Sequence, residues 1–588
     1  MKVALLSTND VDGGAARATY RLHLGLQQIG VESSLVVRSK RSPDPQVYAT
    51  DTVYSEEYVR RMGLAAIQSV FIDQDRSDLT NTLFSLPYPG VDLSQFPQVM
   101  GADVIHLHWV SRFQSVTTLQ RLLQLGKPAV WTLHDCSAFT GGCHYPAGCD
   151  RYQTTCHACP QLAENPADLP AYLLRDKLAL LQSPITVVTP SQWLADCARQ
   201  SALFRQQRIE VIPYGLETDV FRPWPKGEAK RALELDEGAI ALLIGANNGN
   251  EQRKGFLPLF KALQQCRANP QFESLIEAGK VTLLCFGAPS EDLETLQIPV
   301  RSFGTIDSDE TLSQLYAAAD LFILPSLEDN LPNTMLEAMA CGTPVIAFAS
   351  GGIPDAVPDG QTGALVPPGD LEALAQAIVT LTLAPEQRQT LGETARRHVE
   401  ANYALTLQAE RYQALYADLP SPPLVERSPA DRDMSLDTSM GPHFATLYPD
   451  LAQEALLRER RALEKRLDAT QERWEADKLL LQQTKQDLHE TRSVLHEKRL
   501  EVQKLRPEVQ RLQKLRPEVQ RLRPEVQKLR ERLANQRQQV SQLGEQLVHT
   551  QEELVRSQAK IAEMEGSRFW KLRNAWFRLK QLGRNSEP

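Results

Sequence analysis

The stretch LFILPSLEDNLPNTMLEAMACGTPVIAF, residues 321–348, gathers groups suited to a charged, hydroxyl-rich ligand. An apolar run ends at Pro325, Ser326 to Asn330 form a polar loop, and Asn333 or the residues before it are placed to cap a helix that carries Glu337. Asp329 on the loop and Glu337 on the helix give two carboxylates, which when ionised accept strong, directed hydrogen bonds from hydroxyls. Amides from Leu331 to Thr334, at the start of the helix, favour an anion such as a diphosphate. The combination suits a nucleotide sugar; the plainer reading is a capped helix followed by a turn. Near the start of the chain, Gly13 and Gly14 follow an apolar run and open an amphipathic helix bearing Leu22, Leu24, Leu26 and Ile29. Glycines there let backbone N–H groups approach a phosphate closely, although such a pair also serves any strand-to-helix turn.

The 321–348 segment resembles the nucleotide-sugar motif of retaining GT-B glycosyltransferases of family 4 (group 1): Glu, seven residues, Glu, then a strand of the form AMA-x-G-x-PV. The resemblance covers residues 1–418. It departs at the first Glu, which is Asp329 here, flanked by Glu328; Glu337 matches the second, the ribose contact. GGAARATYRL resembles the family's first glycine loop, facing the donor diphosphate, and TLHDCSAFTGGCHY the segment with a His near the donor sugar, matched by His134. Asp135 beside it would face the acceptor. RKGF matches the basic site that neutralises the diphosphate, which gives that role to Lys254 first and Arg253 second. The commoner pattern has an Arg after the glycine ending the strand, where Gly245 is followed here by Ala246. Without the resemblance, His134 reads as a packed or solvated histidine and Lys254 as a solvated charge. His106 and His108 receive no role, though one is expected to face the cleft.

The resemblance implies donor contacts at Gly13, Gly14, Asp329, Asn330, Leu331 and Glu337, and catalysis by His134, Lys254 and Arg253. It implies transfer of a hexose-type sugar from a nucleotide-diphosphate sugar to a glycan or lipid-linked acceptor, with retention and with no cofactor required for catalysis. The Asp-x-Asp strings, Asp73–Asp75 and Asp431–Asp433, fall in a loop region and in a Pro-rich linker, which gives them no metal role. No residue stands out as a nucleophile, which favours front-face attack. The alternative is a catalytically weak, glycosyltransferase-like scaffold.

The elements that must position these residues are legible as short, β-branched apolar runs at 2–7, 103–109, 129–133 and 185–189, then at 209–213, 240–245, 281–286, 321–325 and 344–348. Continuous apolar strands separated by helix-length segments indicate parallel sheets covered on both faces. Two series indicate an α/β fold with two Rossmann-like domains, 1–200 and 201–402, facing a cleft, and a helix at 403–418 returning to the first. Ligands in such sheets sit at the carboxyl ends of the strands. Across 588 residues the net charge is −9, which argues against a nucleic-acid partner. No run approaches the ~18 apolar residues of a membrane span, and a cytoplasmic protein is expected.

Of nine cysteines, five lie between 136 and 159, in a Cys-rich insertion spanning 136–160. Cys143, Cys149, Cys156 and Cys159 would suit a small structural zinc site, with His144 and His157 in reserve; reduced thiols or a disulfide pair are the alternatives. A Pro/Ser-rich linker is read at 419–449 and a coiled coil at 450–565, on an apolar column from Leu467 through Leu481, Leu488 and Leu495 to Val509, with prolines at 507, 517 and 524 expected to kink it. Such a coil would make a homo-oligomer. The last segment, 566–588, sets Arg568, Lys571, Arg573, Arg578, Lys580 and Arg584 beside an aromatic stripe, a pattern suited to an anionic membrane surface at the cytoplasmic face.

Overall fold

The computed structural model describes residues 1–50, 58–246, 249–287, 296–420, 436–513, 524–539 and 541–542. Residues Met1–Leu456 form one compact unit, and the chain from Leu457 on forms a second. The first unit holds two parallel sheets. The seven-stranded sheet runs Val47–Ala49, Glu32–Ser39, Lys2–Asn9, Val104–Leu107, Ala129–Thr132, Thr186–Thr189, Arg208–Val211. The six-stranded sheet runs Val300–Ser302, Val281–Gly287, Ile240–Ala246, Leu321–Leu324, Val345–Phe348, Gly363–Val366. The central strands VIHL, AVWT, TVVT, LFIL and VIAF are buried along their whole length, as parallel strands covered on both faces must be. In each sheet the strand order reverses beside its first strand, Lys2–Asn9 or Ile240–Ala246, and the crevices at the carboxyl ends there are where ligands of such sheets bind.

Two expectations differ from the structure. The run at 209–213 does not open the second sheet: Arg208–Val211 pairs in parallel with Thr186–Thr189 as the edge of the first, so that sheet extends past residue 200. An apolar run carries no label for its partner strand. The linker read at 419–449 is built structure at its far end. Leu436–Asp437 pairs antiparallel with Gly90–Val91, and a helix starts at Phe444, ahead of the expected coil. The Asp176 carboxylate accepts from the Phe444 and His443 N–H groups and from the Tyr88 hydroxyl, capping that helix from the first domain. Phe444 is fully buried, stacked on Tyr88 with ring centroids 5.3 Å apart, and Leu451, Ala452 and Ala455 continue into the same core. Pro507 lies within the helix Phe444–Gln513.

The helix Leu405–Ala417 lies on the first domain, where Tyr412, Leu415 and Tyr416 share a core with Val3, Leu5, Val37 and Val130. In the second unit the described residues are helical, and Leu479, Leu480, Val494, Leu500, Val502 and Leu505 are exposed. Most of the coil expected beyond Gln513, the basic tail 566–588 and Asp431–Asp433 lie outside the described residues. Among the described residues no helix is long and apolar enough to cross a membrane.

Candidate active site

The second domain contributes the loop after Leu321–Leu324 and the turn after Ile240–Ala246. Gly255 has φ 71°, and a Cβ there would stand 1.7 Å from the Pro325 carbonyl oxygen; only glycine lets the RKGF turn abut the 326–330 loop. Gly351, at φ 55°, is pressed equally close to the Asp329 carbonyl. The two turns bring Lys254 Nζ to 2.7 Å and Arg253 Nη1 to 3.3 Å from Asp329 Oδ2. Burial alone would raise the Asp329 pKa, but Lys254 and Arg253 outweigh it and hold the carboxylate at about 2. Arg253 is already committed: it forks onto Glu251 at 2.8 and 3.2 Å, donates to the Glu328 carbonyl and lies 4.1 Å from the Tyr145 ring centroid. Among the described residues Lys254 pairs with Asp329, which leaves ammonium donors for a ligand.

The first domain contributes the loop after Ala129–Thr132. His134 shares hydrogen bonds with Tyr214 OH at 2.7 Å and with His108 Nδ1 at 3.1 Å, and its carbonyl accepts from Asn330 Nδ2. Burial lowers its pKa to about 4, so it is neutral at pH 7. Asp135 accepts from Trp109 Nε1 at 2.7 Å, His144 Nδ1 at 2.6 Å and the Ser137 N–H at 2.8 Å; burial alone would raise its pKa, but His144 and Ser137 outweigh it and hold the carboxylate well below the usual range. His106 and His108 share one face, ring centroids 4.1 Å apart; His106 is tied to Tyr416 and Thr132, while His108 reaches toward His134.

Between the domains lies a cavity of about 290 Å³. Gly14, His134, Asp135 and Tyr145 line it from one side, Arg253, Lys254, Asp329, Asn330 and Leu331 from the other. Asn330 bridges the domains, accepting from Ser191 Oγ at 2.6 Å. The helix Asn333–Ala340 aims its first residues at the cavity, but Pro332 is its N-cap, and Asn333 instead donates to the Gly14 carbonyl at 2.9 Å. Gly13, at φ 90°, precedes the helix Gly14–Gln28 and is not among the lining residues. Glu337 is also not brought to the cavity. It is 2% exposed, accepts from Arg21 Nη2 at 2.8 Å and Tyr316 OH at 3.0 Å, and the Arg21 Nε stands 2.8 Å from Glu217 Oε2. Arg21, Tyr145 and Tyr214 were not singled out in the sequence; they meet their partners only through folding, Arg21 across 316 positions. A smaller cavity of about 50 Å³ adjoins Asp135 within the first domain, lined by His108, Trp109, Ser111 and Gln114.

Residues 12–220 match the family Glycosyltransferase Family 4, and residues 239–383 match Glycosyl transferases group 1. The chain has the GT-B fold of the group 1, family 4 glycosyltransferases. The first match covers the seven-stranded sheet apart from its strand Lys2–Asn9, the second covers the six-stranded sheet, and the cavity lies where the two domains meet. Among curated relatives, the sulfoquinovosyl transferase SQD2 of Arabidopsis thaliana is 34% identical over 189 residues, 30% of this chain and 36% of that protein. The D-inositol 3-phosphate glycosyltransferase of Kribbella flavida is 29% identical over 214 residues, 34% of this chain and 49% of its own length. The matched region thus spans a third to a half of those relatives. Among solved structures, sucrose-phosphate synthase from Thermosynechococcus elongatus is 21% identical with a TM-score of 0.49, covering 71% of this chain and 98% of that one. Anabaena HepE, solved with UDP-glucose, is 17% identical with a TM-score of 0.47, covering 71% of this chain and 100% of its own.

Proposed function

We propose that this chain moves a hexose-type sugar from a nucleotide-diphosphate sugar to a glycan or lipid-linked acceptor, with retention of anomeric configuration, in cell-surface polysaccharide synthesis at the cytoplasmic face of a membrane. The observation that carries the reading is Lys254, held by one carboxylate at the wall of a two-domain cavity, beside the first residues of the helix Asn333–Ala340. A cation and oriented amides aimed at a departing diphosphate stabilise charge that grows as the bond breaks. In front-face attack the bond from the anomeric carbon to the phosphate oxygen breaks, the bond to the acceptor oxygen forms on the same face, and the acceptor proton passes to the departing phosphate. Neutral His134, its two ring nitrogens engaged by Tyr214 and His108, forms part of the wall against the donor sugar, and the cavity beside Asp135 and Trp109 receives the acceptor.

A second reading, a scaffold with weak turnover, draws on Glu337 and Arg253 being saturated by protein partners. Thermal unfolding with UDP-, GDP- and ADP-sugars tests donor binding. The right donor at ~100 times its dissociation constant adds about 2.7 kcal/mol of stability. No shift with any of them contradicts the donor site.

A further inference from the structure

Away from the cavity wall, the loop from Gly141 to Leu162 packs around its own cysteines. Cys143, Cys149, Cys156 and Cys159 line one void of about 10 Å³, at the lower limit for a single water. Cys143 and Cys156 are buried, Cys149 and Cys159 are partly so, and none is in a disulfide. Three non-glycine residues of this short segment, Ala147, Cys156 and Ala158, sit at φ between 51° and 54°. Such backbone persists where its surroundings over-determine it. Cys156–Cys159 has the C-x₂-C spacing that turns two sulfurs toward one point.

A hydrogen-bond donor and two cations lie near the sulfurs. The Gly141 N–H donates to Cys156 Sγ at 3.2 Å. The Arg76 guanidinium lies within electrostatic reach of Cys143 and Cys159, and its Nε and Nη1 are buried with no hydrogen-bond partner among the described residues. The Lys177 ammonium, which donates to the Ser137 and Thr140 carbonyls, lies within electrostatic reach of Cys143 and Cys156. A tetrathiolate zinc centre carries net negative charge, and buried cations and N–H groups directed at its sulfurs offset that charge.

We propose that Cys143, Cys149, Cys156 and Cys159 bind a structural zinc ion that fixes the loop carrying His144 and Tyr145 against the reaction cavity. Soft sulfur ligands in a closed set of four select zinc, and each thiol releases its proton to solvent on binding. Among the described residues no three His, Cys, Asp or Glu side chains are already disposed as a metal site, so binding rotates the cysteine side chains inward around the void. His144 and His157 are not ligands: His144 is held between Asp135 and Ser85, and exposed His157 pairs with Asp168. The clamped loop is a wall of the cavity. His144 Nδ1 lies 2.6 Å from Asp135, the Tyr145 hydroxyl donates to Asp329 at 3.3 Å, and the Ala147 N–H donates to Glu328 at 3.1 Å.

The test is metal analysis of the full-length protein, purified without added chelator. About one zinc per chain is expected, and exchange for cobalt(II) should give the intense near-ultraviolet sulfur-to-cobalt band and the visible bands of a tetrahedral thiolate site. Cys149→Ser and Cys159→Ser, at the two more exposed ligands, should each lose most of the zinc, while Cys266→Ala, in a helix of the other domain, should keep it. Wild-type protein that is zinc-free and takes up no tetrahedral cobalt overturns the proposal, even if the serine variants fail to fold. An intact mass showing disulfides among these four cysteines overturns it equally.

Discussion

At the scale of single residues, the carboxylate matched to the ribose contact is the one whose surroundings differ most from expectation. Glu337 is buried against Arg21 and Tyr316, so removing it leaves the Arg21 guanidinium with only Glu217 in a dry setting. Breaking a buried pair from one side costs about 3–5 kcal/mol. Glu337→Ala should therefore lower the urea midpoint, and an unchanged midpoint would mean the Arg21 pairing is not formed in solution. His134 makes a second prediction. Its folded pKa, about 4, lies below the ordinary histidine value of 6.5. The unfolded chain thus binds the extra proton first as pH falls. Stability is full above pH 6.5 and declines through pH 4, by at most about 3 kcal/mol from this residue. Denaturation at pH 7 and pH 5 should show the loss in wild type and a smaller one in His134→Gln.

At the scale of elements, the central strands were legible because a buried parallel strand is a continuous apolar run, and seven-tenths of the chain divides on that signal. Which sheet a run joins was not legible, as Arg208–Val211 shows, because pairing is a long-range property. Glu32–Ser39 opens with the polar residues ESS and carries no comparable signal in its first half. Of the site, the basic turn, the 329–331 loop and the His134 loop were readable as motifs. Tyr145 closes the segment TLHDCSAFTGGCHY, where His134 and the cysteines carried the signal, and the docking of Phe444 is invisible without Asp176 and Tyr88 beside it. That docking yields a third prediction. Phe444→Ala empties a fully buried aromatic site and should cost about 3–5 kcal/mol. A chain ending at Leu419 should melt below one ending at Leu456, and equal melting would show that the helix start contributes nothing to the first unit.

At the scale of the whole molecule, two sheets, the returning helix Leu405–Ala417 and the docked start of the long helix make one catalytic unit. Beyond it, a helix that carries a seven-residue apolar column, with further leucines and valines exposed beside it, is what self-association would use. Sedimentation equilibrium of the full chain should show concentration-dependent association that a chain ending at Leu456 lacks; identical monomers would remove the oligomer. The central claim, however, is chemical, and donor turnover tests it most directly. The full-length protein should consume one of the UDP-, GDP- or ADP-sugars in the presence of a glycan or lipid-linked acceptor. Lys254→Ala should do so about 100-fold more slowly, with the loss in kcat rather than KM, since Lys254 is assigned to charge that develops in the transition state. Consumption of no donor by the wild type, or equal rates in the two proteins, would contradict the account.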